Sequence, residues 1–197
     1  MSAITRRVFL ALAAGLTTAL TVGLLTACSP KLDWREVASP EGKFSAVFPG
    51  KPQISTRDIP FRGQRIPMTI TAAGKGPTLF AVGVAQLPPE AVATPQALAD
   101  AVTQFRTALL SNSGTALFSL DESVPALSAE VKATAHALMA VRAQRHPSTD
   151  PKVPGVARLA AYFFVVDGRM YQLAALGDAD LADIDLETFF SAFKLTP

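Results

Sequence analysis

The chain has 197 residues, 18 basic and 16 acidic side chains, 49% apolar residues and a single cysteine. Arg6 and Arg7 lie in an N-terminal stretch without any acidic residue, and taking them from the 18 leaves the rest of the chain balanced in charge. A balanced body lacks the basic excess needed to neutralise phosphates, which argues against a nucleic-acid binder, and one cysteine excludes an internal disulfide framework.

Arg6 and Arg7 are followed by an apolar run from Val8 to Leu25 that closes on Leu25-Thr26-Ala27-Cys28. A positive start, an apolar middle and small residues at the end make a secretory signal. The closing four residues resemble the bacterial lipobox. That resemblance implies cleavage between Ala27 and Cys28, with Cys28 carrying acyl chains as the new N-terminus, and it accounts for the unpaired thiol. Two alternatives stay open: an uncleaved span of about twenty apolar residues with Arg6 and Arg7 on the cytoplasmic side, or an ordinary Cys28 after a plain cleavage site. Thr17, Thr18, Thr21 and Thr26 dilute the run and favour a leader.

Within it, Thr5-Arg6-Arg7-Val8-Phe9-Leu10 resembles the twin-arginine export signal, with Arg6, Arg7, Phe9 and Leu10 as its marks. Ala11 stands where a basic residue often follows. By analogy with lipoprotein sorting, Ser29 after the cysteine implies the periplasmic face of the outer membrane. Several acyl chains are needed for stable anchoring, at about 0.8 kcal/mol per buried CH₂. From Cys28 to Trp34 the chain reaches about 20 Å when fully extended, so the domain is expected close to the bilayer.

The resulting plan is a signal peptide over 1–27, a lipidated N-terminus and short tether over 28–38, and one domain over 39–197. Lys31 to Glu41 reads as a lead-in with Trp34 as its large apolar anchor, and Ser39-Pro40-Glu41-Gly42 reads as a turn. Phe44, Ala46 and Phe48 alternate with smaller or polar residues up to Pro49-Gly50, the pattern of a strand. Ile66, Met68, Ile70 and Ala72 alternate likewise, Gly74-Lys75-Gly76-Pro77 turns the chain, and Phe80, Val82 and Val84 return. The Gly-Lys-Gly lacks the first Gly and the following hydroxyl residue of a phosphate loop.

Thr94-Pro95 places a hydroxyl at a helix cap and Pro at the first helical position. Leu98, Ala101, Val102, Phe105 and Leu109 recur at helical spacing until Asn112-Ser113-Gly114. Leu117 to Leu120 reads as a strand. From Ala129 to Arg145, alanine content suits a helix, yet Val131, Ala133, Ala135, Ala137, Met139 and Val141 alternate. A long strand is expected there, because the following hairpin needs neighbours.

Leu159 to Val166 is nearly continuous in apolar residues, Asp167-Gly168 is a strong two-residue turn, and Met170 to Leu176 returns. The turn sets Val165 opposite Met170 and Phe164 opposite Tyr171. Tyr162, Phe164, Tyr171 and Leu173 then share one face, and Leu159, Phe163 and Met170 the other. A strand pair apolar on both faces must be covered on both. A last helix from about Asp185 presents Leu186, Phe189, Phe190 and Phe193.

The expected fold class is therefore α/β in the α+β sense: an antiparallel sheet of about six strands with helices on both faces. Ser39-Pro40-Glu41-Gly42 with Phe44 and Phe48-Pro49-Gly50, then Gly168-Arg169-Met170-Tyr171-Gln172-Leu173 and the Phe-rich end, resemble the PsbP-like α/β/α sandwich over a third of the domain. That resemblance implies a largely non-enzymatic role in assembly or binding.

Motifs for catalysis are sparse. His136 and His146 are ten apart with no cysteine near, wider than zinc pairs. Neither a Gly-x-Ser-x-Gly turn nor a His-Glu-x-x-His helix occurs. Asp178, Asp180, Asp183 and Asp185 are the one acidic cluster. Their spacing misses the known calcium loop and suits a helix N-terminus, where the dipole favours carboxylates. The polar connection His146 to Gly155 is the best candidate contact loop. No metal and no cofactor is expected. The expected partners are the membrane, through the anchor, and an envelope protein. An envelope hydrolase with an unrecognised site is the alternative.

Overall fold

The computed structural model describes residues 32–112, 118–121, 124–145, 157–178 and 181–197. From Leu32 onward these form one compact unit. Ten strands among the described residues make two sheets. β1 (Trp34–Ser39) and β2 (Phe44–Pro49) form an antiparallel hairpin, and β10 (Lys194–Leu195) joins β2 on its other side. The remaining seven strands form a sheet in which every pairing is antiparallel. They are β3 (Gln53–Phe61), β4 (Gln64–Lys75), β5 (Thr78–Gln86), β6 (Phe118–Asp121), β7 (His136–Arg145), β8 (Ala157–Val166) and β9 (Arg169–Asp178). Across the sheet they run β3-β4-β5-β9-β8-β7-β6.

The antiparallel α+β class is as read from sequence. The expected single sheet of about six strands is instead two, of seven and three strands, and β1, β3 and β10 lie outside the strands read from sequence. Trp34–Ser39, read as part of a lead-in and tether, is paired along its whole length with β2. β3 joins β4 through Arg62-Gly63, both at positive φ (46° and 80°), the geometry of a two-residue primed turn. As an edge strand it is blunted by Arg57, Asp58 and Pro60. Arg65 donates to the Asp58 carbonyl at 2.8 Å, and Gln104 reaches the Pro60 carbonyl at 3.5 Å.

The helices are α1 (Pro89–Val92), α2 (Pro95–Asn112), α3 (Ala129–Thr134) and α4 (Asp183–Ser191). Thr94 caps α2 as expected, its Oγ1 accepting from the Ala97 N–H at 3.1 Å. The long strand expected over 129–145 is corrected. Ser128 Oγ accepts from the Val131 N–H, a cap that starts α3, and Ala135 ends it in extended conformation. The strand begins only at His136, after which Ala137 at φ 51° forms a bulge against β8. Alanine propensity and alternation were both present in that stretch; the cap decides which wins where.

The β8–β9 hairpin has the expected register, with Val165 opposite Met170 and Phe164 opposite Tyr171. Its two faces feed two separate clusters. Tyr162, Phe164, Tyr171 and Leu173 pack with Phe44 and Phe48 of β2, with Phe189 and Phe190 of α4, and with Phe193. Phe163, Val165 and Met170 pack with Ala101, Val102 and Phe105 of α2 and with Phe61 and Met68. Aromatic rings meet at the centre of the first cluster: Phe164 stacks on Tyr171 at 5.4 Å, and Phe193 meets both edge-on. The helix read from about Asp185 starts at Asp183, and Phe193 lies just beyond its end. No described helix is long and apolar enough to cross a membrane.

Candidate functional site

Strand register lines up three rows of side chains on the face of the large sheet that carries Phe164 and Tyr171. Ile54, Thr71, Val82 and Leu173 form one row; Thr56, Thr69, Val84 and Tyr171 the next; Gln86 and Arg169 the third. Toward β8 this face is filled by the aromatic cluster. Toward β3 it carries small, polar or singly apolar groups, and a cavity of about 640 Å³ opens there between the sheet and the β1–β2 turn. Its floor includes Ile54, Pro67, Thr69, Thr71, Val84 and Gln86, with Arg169 at one end and Ser39 to Gly42 above.

The covering turn is held in place. Ser39 Oγ accepts from the Gly42 N–H at 3.2 Å, Lys43 N–H reaches the Pro40 carbonyl at 3.3 Å, and the Tyr171 hydroxyl donates to the Gly42 carbonyl at 3.0 Å. Burial pushes the Tyr171 hydroxyl pKa up from its ordinary value, the Arg169 charge pulls it down and Asp167 adds to the rise. Thr56 and Thr69 share a hydroxyl hydrogen bond at 3.2 Å. Thr71 is only 2% exposed. Arg169 makes no ion pair among the described residues. Glu41 and Arg169 are the ionisable side chains of the lining.

A second cleft, of about 610 Å³, lies beside the start of α2, lined by Thr94, Pro95, Leu98, His136, Val165 and Asp167 among others. His136 is exposed there, at the first position of β7.

Arg6, Arg7, Phe9, Leu10, Ala27 and Cys28 lie outside the described residues, as do His146, Asp180 and the loop 146–155. Asp183 and Asp185 fall in the first turn of α4, the place the helix dipole favours. Asp183 also pairs with Arg142. No group of three or more potential metal ligands comes together among the described residues. Asp183 is 70% exposed, so Asp183→Asn is expected to cost less than about 1 kcal/mol in urea unfolding, the ordinary worth of a surface pair. A loss several times larger would show that the carboxylate does more than pair with Arg142 and offset the helix dipole.

The cavity was not legible beforehand. Thr69, Thr71 and Arg169 come together only through the β4–β5–β9 register, and Ile54 belongs to a strand that was passed over. The Arg-Gly dipeptide after a run alternating Ile54, Thr56 and Asp58 was the available signal. The chain matches no family model and no curated protein.

Proposed function

We propose that the protein is a lipid-anchored envelope protein whose domain, from Leu32 onward, is a non-catalytic binding module built as a PsbP-like sandwich. The anchor reading is carried by one observation, Leu25-Thr26-Ala27-Cys28 closing an Arg-led apolar run. Support for the sandwich comes from the two clusters on the β8–β9 hairpin, one shared with α4 and β2 and the other with α2. Support for binding comes from the cavity, which among the described residues is lined by hydroxyls, apolar groups, Glu41 and Arg169. A short tail after Cys28 would hold the domain within reach of a membrane-borne ligand or an envelope partner.

Cell fractionation with mass spectrometry of the mature N-terminus tests the anchor. Wild-type chain is expected in the membrane fraction with an acylated Cys28, and Cys28→Ser in the soluble envelope fraction. A Cys28→Ser chain that fractionates as wild type, or a mature chain beginning at Met1, overturns it. Affinity capture of the acylated chain from membranes then reports any protein partner.

A further inference from the structure

We propose that the cavity over β3, β4 and β5 binds a single-chain carboxylate amphiphile, its carboxylate on Arg169 and its apolar chain along Val84, Pro67 and Ile54. This deepens the binding reading of the same cavity and does not depend on the lipid anchor. Three observations carry it. First, Arg169 lines one end of the cavity and makes no ion pair among the described residues, with Glu41 of the same lining included. A guanidinium presents a planar fork that matches a carboxylate with two parallel hydrogen bonds.

Second, Pro67, Thr69 and Thr71 put short side chains on the floor of the cavity, which leaves the space above β4 open to a ligand. Third, Ile54 is 67% exposed at the rim, an apolar surface continuous with Val84 and Pro67. The volume, about 640 Å³, falls in the usual range for small-molecule sites.

Charge selects the head. Glu41 shares the lining with Arg169, so the lining offers one cation and one carboxylate. A singly charged carboxylate pairs with Arg169, whereas a phosphate monoester brings a second negative charge that the lining does not offset and Glu41 repels. A neutral alcohol leaves Arg169 unpaired.

The test is photolabelling of the full chain with diazirine-bearing dodecanoate, read by peptide mass mapping. Label is expected on peptides containing Ile54, Pro67 and Val84, saturable, and displaced by dodecanoate at least tenfold more effectively than by dodecanol or dodecyl phosphate. Arg169→Gln is expected to cut labelling about tenfold or more, with Arg169→Lys recovering part of it. Label scattered over the surface, equal displacement by dodecanol, or equal labelling of Arg169→Gln overturns the proposal. Preference for dodecyl phosphate overturns the choice of head. If labelling fails while Cys28→Ser still leaves the membrane, the ligand assignment falls and the anchor reading stands.

Discussion

Phe193→Ala is expected to destabilise the domain by about 3–5 kcal/mol, the usual cost of truncating a buried phenylalanine. Phe193 is completely buried and stands between elements distant in sequence. Its ring stacks on Phe44 of β2 at 5.7 Å and meets Phe164 of β8 at 5.9 Å and Tyr171 of β9 at 6.1 Å. Truncation removes the transferred apolar surface and leaves a void between two sheets, whose strands are held by their own ladders and cannot close around it. For a domain stable by about 5–15 kcal/mol, that is a large fraction of the total. Trp34, the single tryptophan, lies edge-on to Phe80 at 5.2 Å in the same cluster, so its fluorescence follows unfolding in urea. The midpoint should fall with the slope unchanged. Ile184→Ala, on α4 but 65% exposed, should stay within about 0.5 kcal/mol. A Phe193→Ala midpoint as close to wild type as that of Ile184→Ala would mean that Phe193 does not hold the two sheets together.

What could be read in advance follows from which forces are local. The β8–β9 hairpin was legible to the residue because Asp167-Gly168 fixes the turn, the turn fixes the register, and two apolar faces demand two covers. The capped start of α2 was legible for the same reason: Thr94 and Pro95 act on their own neighbours. β1 was not, because none of Trp34–Ser39 is fully buried and the strand gains its order from pairing with β2. β3 is exposed over most of its length, so no burial pattern marks it, and only the Arg62-Gly63 turn betrays it. The cavity inherits both omissions. Its roof is the β1–β2 turn, its rim is β3, and its cation enters from β9, which sits next to β5 although some eighty residues separate them in sequence. Nothing local to Arg169 distinguishes it from any other charged residue beside a turn.

Raising the pH above the ordinary tyrosine range is expected to unfold the domain through its two tyrosines. Both are nearly fully buried, Tyr162 6% and Tyr171 1% exposed, and both donate to backbone carbonyls, Tyr162 to Pro125 at 3.0 Å and Tyr171 to Gly42 at 3.0 Å. A tyrosinate can donate no hydrogen bond, and burial disfavours its charge. Burial accordingly raises the Tyr162 pKa, against a smaller lowering by a backbone hydrogen bond at Leu127. For Tyr171 burial dominates the lowering by Arg169. With folded values above the unfolded value near 10.0, the unfolded chain releases its phenolic protons first. Their contribution to stability is complete below that pH and is lost as pH rises through the folded values. Since the chain has only these two tyrosines, the tyrosinate absorbance band reports them without background. The band should appear together with the loss of Trp34 fluorescence, in one cooperative step above pH 10.0. Tyr171→Phe should make the loss of stability with pH shallower by one proton, and Arg169→Gln should push the remaining Tyr171 ionisation higher. A tyrosinate band that grows at the ordinary pH while the fluorescence stays native would mean that the two hydroxyls open to water in the folded chain, and the pinned turn over the cavity would then be lost as well.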